Sequence, residues 1–135
     1  VIATINVSEV RESGTITAAV NGTPENPGID RRWTFDAGDA DVSGELTLYY
    51  RNDVESCCFP VENWFVSEAA VRDDRYSQWD LEIVQEDESG SRTALETYVN
   101  PYSNKASADV SLQGTTWFEL VLPDREEPER NFTRG

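Results

Sequence analysis

Between Gly44 and Arg51 the chain alternates without a break. Leu46, Leu48 and Tyr50 take one set of positions; Glu45, Thr47 and Tyr49 take the other. Successive side chains of a strand point to opposite faces, so this period of two specifies a half-buried β-strand. Few other local structures satisfy it. The pattern recurs along the chain, punctuated by turn residues every ten positions or so.

Val1–Val10 sets Val1, Ala3, Ile5 and Val7 against Thr4, Asn6 and Ser8. Thr15–Val20 places Ile16, Ala18 and Val20 on one side. A hairpin with the first strand across Arg11–Gly14 is its natural pairing. Asn21–Gly28, NGTPENPG, is a loop. Arg32–Phe35 is a strand presenting Trp33 and Phe35, and an acidic loop carrying Asp36, Asp39, Asp41 and Glu45 separates it from Gly44–Arg51. Asn52–Pro60 is irregular. Val61–Arg75 mixes helical and strand spacing and is read as a strand at Asn63–Ser67, then a loop or a single helical turn. Gln78–Gln85 turns Trp79, Leu81 and Ile83 inward and pairs with Arg92–Val99 through the polar turn Glu86–Ser91. Asn100–Lys105 is a loop. Ala106–Leu112 alternates again, Gln113–Gly114 turns the chain, and Thr115–Leu122 is apolar on both faces. That last pattern belongs to a central strand covered on each side.

Eight or nine short strands result. They specify an all-β fold, a single antiparallel β-sandwich of immunoglobulin-like or jelly-roll type, over residues 1–122. Pro123–Gly135 is different. It carries seven charges and two prolines, with Phe132 as its only large apolar side chain. It reads as a charged, extended C-terminal arm, reaching roughly 45 Å if fully drawn out.

Charge narrows the environment. Acidic residues number 26 against 11 basic ones, for a net charge of −15; Lys105 is the single lysine, and there is no His or Met. Abundant aromatic and β-branched residues argue against disorder. At about 1 M salt the Debye length falls to roughly 3 Å, and repulsion among surface carboxylates nearly vanishes. Carboxylates hold water and cations, whereas the apolar stem of Lys favours salting-out. The composition resembles that of haloarchaeal proteins. High concentrations of salt cations are the expected partners of such a surface. Nucleic acid and anionic membranes are disfavoured, because no stretch gathers three basic residues. No apolar run is long enough to insert into a bilayer. Val1 opens directly on strand-like sequence, which fits removal of either an initiator Met or a leader.

Motifs of chemistry are sparse. Asp39, Asp41, Ser43 and Gly44 match the opening of a calcium loop, where alternate oxygens wrap a hard cation. The match ends there, since Tyr50 stands where the bidentate Glu belongs, so calcium is a candidate cofactor on partial grounds and no other cofactor is implied. Cys57 and Cys58 are adjacent. They form no C-x-x-C zinc motif and cannot staple distant segments; reduced thiols, a vicinal disulfide and cross-links to another chain all fit. Asn6, Asn21 and Asn131 head N-x-[ST] sequons and are candidate glycosylation sites. Absence of His removes the commonest general base. There is no nucleophile elbow, phosphate loop or dinucleotide fingerprint, and a carboxylate pair chosen among 26 acids carries no specificity.

These features point to a non-enzymatic structural subunit of a repetitive extracellular assembly: a virion capsid or tail component, or a surface filament or pilus, from a halophilic archaeon or its virus. Its partners would be copies of itself or other structural subunits. Val1, Ile5, Val7 and Phe132 are candidate contact residues, through the first strand and the terminal arm. The alternative is a secreted or cell-surface module that binds carbohydrate through exposed aromatics among Trp33, Tyr49, Trp64, Tyr76, Trp79, Tyr98 and Tyr102.

Overall fold

A computed structural model describes residues 2–21, 28–50 and 78–122. They form one antiparallel sheet of seven strands: β1 (Ala3–Glu12), β2 (Thr17–Asn21), β3 (Gly28–Tyr49), β4 (Glu82–Glu86), β5 (Arg92–Ala94), β6 (Tyr98–Asn100) and β7 (Lys105–Val121). A single 3-10 turn, Gln78–Asp80, precedes β4. The strand order is β1-β3-β7-β4-β5, with β2 paired to β3 and β6 to β7. The all-β, antiparallel expectation holds for these residues, and β7 is central as its apolar run requires. The expected segments at residues 52–60, 61–75 and 123–135 lie outside the described residues.

Two expected breaks are not loops. The acid-rich stretch at residues 36–41 is part of β3, a strand of 22 residues. Gln113–Gly114 lies inside β7, a strand of 17. Asp36 is opposite Thr115 and Asp41 opposite Gln113, so residues 37–40 of β3 face Gly114 alone. On the other side of β3, Glu12 is opposite Asp41 and Thr17 opposite Asp36, so residues 13–16 cross the same line. The unequal count against β7, four residues to one, is of the kind that bends a sheet and increases its twist. Glycine stands at the crease on all three paths. Gly38 and Gly114 have φ of 57° and 68°, a left-handed conformation that costs a residue with a Cβ about 1–2 kcal/mol. At Gly14 a Cβ would lie 2.9 Å from the Ala40 nitrogen. Asp36 accepts a hydrogen bond from the Gly38 N–H at 3.0 Å, so this acid shapes the crease from within.

The crease turns β3 back on itself. The Arg31 guanidinium donates to the Tyr49 carbonyl at 3.2 Å, across 18 residues of one strand. A straight strand would separate them by about 60 Å. The Trp33 indole N–H donates to the Ile2 carbonyl at 3.0 Å, and the Tyr49 N–H donates to that same carbonyl at 3.1 Å. One contiguous core therefore draws on both halves of the sheet. Trp33, Phe35, Phe118 and Ile83 come from one half; Val42, Leu46, Leu48, Ala108 and Leu112 come from the other. Phe35 and Phe118 meet edge to face, ring centroids 5.6 Å apart, an arrangement that suits the ring quadrupoles.

Three further expectations are corrected. The first two strands form no hairpin with each other. Both pair with β3, where Ala3 and Ile5 meet Leu48 and Leu46, and Ala18 and Val20 meet Phe35 and Trp33. Apolar partners at alternate positions of both halves of β3 outcompete a short turn between the two strands. Trp79 does not face inward: three residues per turn in the 3-10 segment break the period of two, so Trp79 is exposed while Leu81 and Ile83 are buried. The expected strand Arg92–Val99 splits, with β5 pairing β4 and β6 crossing to β7.

Gly38→Ala and Gly114→Ala should each lower unfolding free energy by about 1–2 kcal/mol. Urea titration followed by Trp fluorescence checks this, with a lowered midpoint and unchanged slope expected. Midpoints identical to the parent chain would show that the left-handed backbone does not hold the crease.

Candidate functional site

The two outer faces of the creased sheet differ in kind. Past the crease, alternation puts Ser43, Glu45 and Thr47 of β3 on the face opposite the core, beside Ser111, Asp109 and Ser107 of β7. Asn6 of β1 adjoins Glu45. The hydroxyls pair across the strands, Thr47 with Ser107 and Ser43 with Ser111, each at 2.9 Å. An open groove of about 570 Å³ crosses this face from Asn6 and Ser8 through Ser43 and Glu45 to Asp109, Ser111 and Leu95. Gly44 forms part of its floor, and a Cβ there would run into the Asn6 carbonyl and come within 2.8 Å of the Val7 Cα. Close approach of β1 to β3 thus depends on that glycine.

At the upper rim sits Arg11. Its Nε and Nη2 donate to Asp41 Oδ1 at 3.0 and 2.8 Å, and Nη2 also donates to Ser43 Oγ at 2.9 Å. Hydrogen bonding to Asp41 raises the guanidinium pKa above its ordinary value. The calcium-loop residues are therefore placed on a strand, and two of them converge on a guanidinium. Asp39 lies apart, exposed at the crease. Among the described residues no three or more His, Cys, Asp or Glu side chains gather in a way that would hold a metal.

The other outer face carries a charged quartet. Arg92 donates to Glu86 at 2.8 Å and to Glu119 at 3.1 Å. Arg32 lies 3.3 Å from Glu86 and 3.6 Å from Glu119, with its guanidinium 5.4 Å from the Trp117 ring centroid. Glu119 is only 3 % exposed. Two cations against two anions compensate the desolvation of that buried carboxylate. Sequence reading misses this group because Glu119 sits inside TTWFELVL. The available signal is the charge itself: an acid in a central strand demands a partner, and Arg32 and Arg92 lie on strands that the sheet brings alongside.

Exposed aromatics gather near one end. Tyr98 on β6, Tyr102 in the following turn and Trp79 in the 3-10 turn are 65 %, 67 % and 51 % exposed; the 3-10 turn packs against β6. Their mounts are rigid. Pro101 is fully buried, and Asn100 Oδ1 accepts from the N–H groups of Tyr102 and Ser103 at 3.1 and 3.2 Å. Tyr98 Oη lies 3.4 Å from Glu96 Oε2. The Glu96 charge, with a smaller contribution from Asp109, raises the Tyr98 phenol pKa above its ordinary value. Trp33 is removed from the carbohydrate candidates because it is fully buried, and Tyr49 is half-buried. Trp64 and Tyr76 lie outside the described residues.

Of the remaining candidates, Asn6 and Asn21 are exposed strand positions. Ile5 is partly buried against the core, and Val7 is exposed. Val1, Cys57, Cys58, Asn131 and Phe132 lie outside the described residues. No protein-family model, curated protein or solved structure matches the chain.

Two outcomes check this geometry. Glu119→Ala, which leaves Arg32 and Arg92 to share Glu86 alone, should cost about 1–3 kcal/mol of stability in chemical denaturation. Glu96→Gln removes the main negative neighbour of Tyr98, so the phenol should titrate at lower pH than in the parent chain. Ultraviolet difference spectra against Tyr98→Phe isolate that signal, and an unmoved titration would show that Glu96 does not face the ring.

Proposed function

We propose that this chain is a non-enzymatic structural subunit of a repetitive extracellular assembly from a halophilic archaeon or its virus, built on a β-sandwich. The doubled-back β3 and its single shared core support the sandwich, with the two halves of the creased sheet as facing layers. The observation that carries the assembly reading is the edge of the sheet. Strand order ends at β1, which pairs only with β3 among the described residues, and Val7 and Val10 are exposed on it. An open edge of this kind is a template for strand addition by another chain.

The edge also limits how a neighbour would approach. Register shifts interrupt β1 between Val7 and Glu9 and again between Val10 and Glu12. Bulges and the charges of Glu9, Arg11 and Glu12 block indiscriminate pairing. The regular ladder is confined to residues 3–7, so a second subunit would add there in a fixed register. Exposed carboxylates on the remaining surface fit brine, where their repulsion is screened.

In molar KCl the purified chain should associate as concentration rises, giving filaments or shells in negative-stain micrographs. Val7→Lys with Val10→Lys should weaken that association at least tenfold in sedimentation velocity while leaving the fold intact. A chain that stays monomeric at every salt and protein concentration overturns the reading. Melting temperature should also rise from dilute buffer to molar KCl, and a flat dependence would sink the halophilic assignment.

A further inference from the structure

We propose that the groove across β1, β3 and β7, with Tyr98 beside its β7 end, is a binding site for an uncharged saccharide chain. This goes beyond the subunit reading and stands or falls separately from it. The groove is open and crosses several strands, which suits a chain lying over the sheet rather than a small molecule held in a pit. Its polar lining is mixed. Glu45 and Asp109 face each other across β3 and β7 and, when ionised, offer acceptors only. Asn6 supplies an amide that both donates and accepts, and Ser8, Ser43 and Ser111 add hydroxyls. Sugar hydroxyls donate and accept as well, so they suit Glu45, Asp109 and Asn6, while Ser8, Ser43 and Ser111 offer only the capacity left by their bonds within the sheet.

Tyr98 adds an aromatic face to the small apolar surface that Leu95 and Val110 give the groove. Its ring is largely exposed, yet its backbone is held in β6 against Ser107, and its neighbour Val99 packs on the core. A ring on a rigid strand loses little freedom when a pyranose stacks on it. Glu96 stands beside the phenol and adds one more acceptor at the same end.

Charge decides between saccharide classes. Glu45, Asp109 and Glu96 line or flank the site; Arg11 at its rim is already bound to Asp41 and Ser43, and Lys105 in the same row of β7 is one cation against three carboxylates. Uronate or sulfated chains would be repelled. A basic peptide is the competing occupant. Its ammonium groups would meet the carboxylates and its backbone amides could meet Asn6 and the serines, so dependence on the Tyr98 ring is what separates it from a saccharide.

Titration calorimetry on the unglycosylated chain at fixed salt tests this, with cellohexaose, maltohexaose and mannohexaose as neutral probes, hexaguluronate as the anionic probe and hexalysine as the cationic one. At least one neutral hexamer should bind and hexaguluronate should not. Tyr98→Ala should weaken the neutral ligand at least tenfold, Tyr98→Phe should stay within about threefold, and Thr17→Ala, exposed on β2 and outside the groove lining, should change nothing. Circular dichroism melts confirm that each variant is folded. Neutral binding that survives Tyr98→Ala, binding of hexalysine alone, or no binding of any probe at millimolar concentration overturns the assignment.

Discussion

A single crease governs this molecule. Three paths through the sheet bend at one level, where glycines and buried alanines stand. Gly38 and Gly114 adopt positive φ, Gly14 lies against Ala40, and Ala37 and Ala40 are buried. Without that line β3 would be a rod of some 70 Å, at about 3.3 Å per residue, with one apolar face and nothing to cover it. With it, Arg31 reaches Tyr49 and Trp33 reaches Ile2. The core, the groove and the quartet all follow, since each depends on which face lies inside the fold and which outside.

The distribution of charge follows from the same geometry. On the groove face, Glu45 and Asp109 stand opposite each other with no cation between them among the contacts described, an arrangement that is unfavourable in dilute buffer. On the quartet face, Glu119 is buried and doubly paired. The two faces therefore respond differently to ionic strength. Exposed like charges gain from screening, whereas close, partly buried pairs are screened much less. A net charge of −15 describes neither face well.

Strand identity was legible wherever alternation was clean. Leu46, Leu48 and Tyr50 are buried as their spacing requires, and TTWFELVL occupies the centre of the sheet. Segmentation was not legible. Local rules read Asp36–Gly38 and Gln113–Gly114 as chain reversals, because acid and glycine usually mark turns. Here the same residues let a strand continue through a bend, and only the register of β3 on β7 distinguishes the two cases. Pairing failed for the same reason: nothing in residues 1–20 indicates that both strands would choose β3 over each other. The groove was invisible too, since Ser43 with Ser111 and Glu45 with Asp109 become neighbours only once that register is known.

The placement of β7 has a kinetic meaning. Ser43 and Ser111 touch across 68 positions of sequence, and almost all pairing of β3 and β7 is similarly remote. β2 with β3, β4 with β5 and β6 with β7 can close locally, whereas β1 with β3 and β4 with β7 cannot. Loop closure must precede most of the contacts that reward it, which places this chain among slow folders, on the millisecond-to-second scale. During synthesis, β3 must wait with its β7 edge unpaired until residues 105–121 have emerged. For that interval any other copy of residues 105–121 is a chemically equivalent partner, so correct folding is a race between one tethered strand and its untethered duplicates.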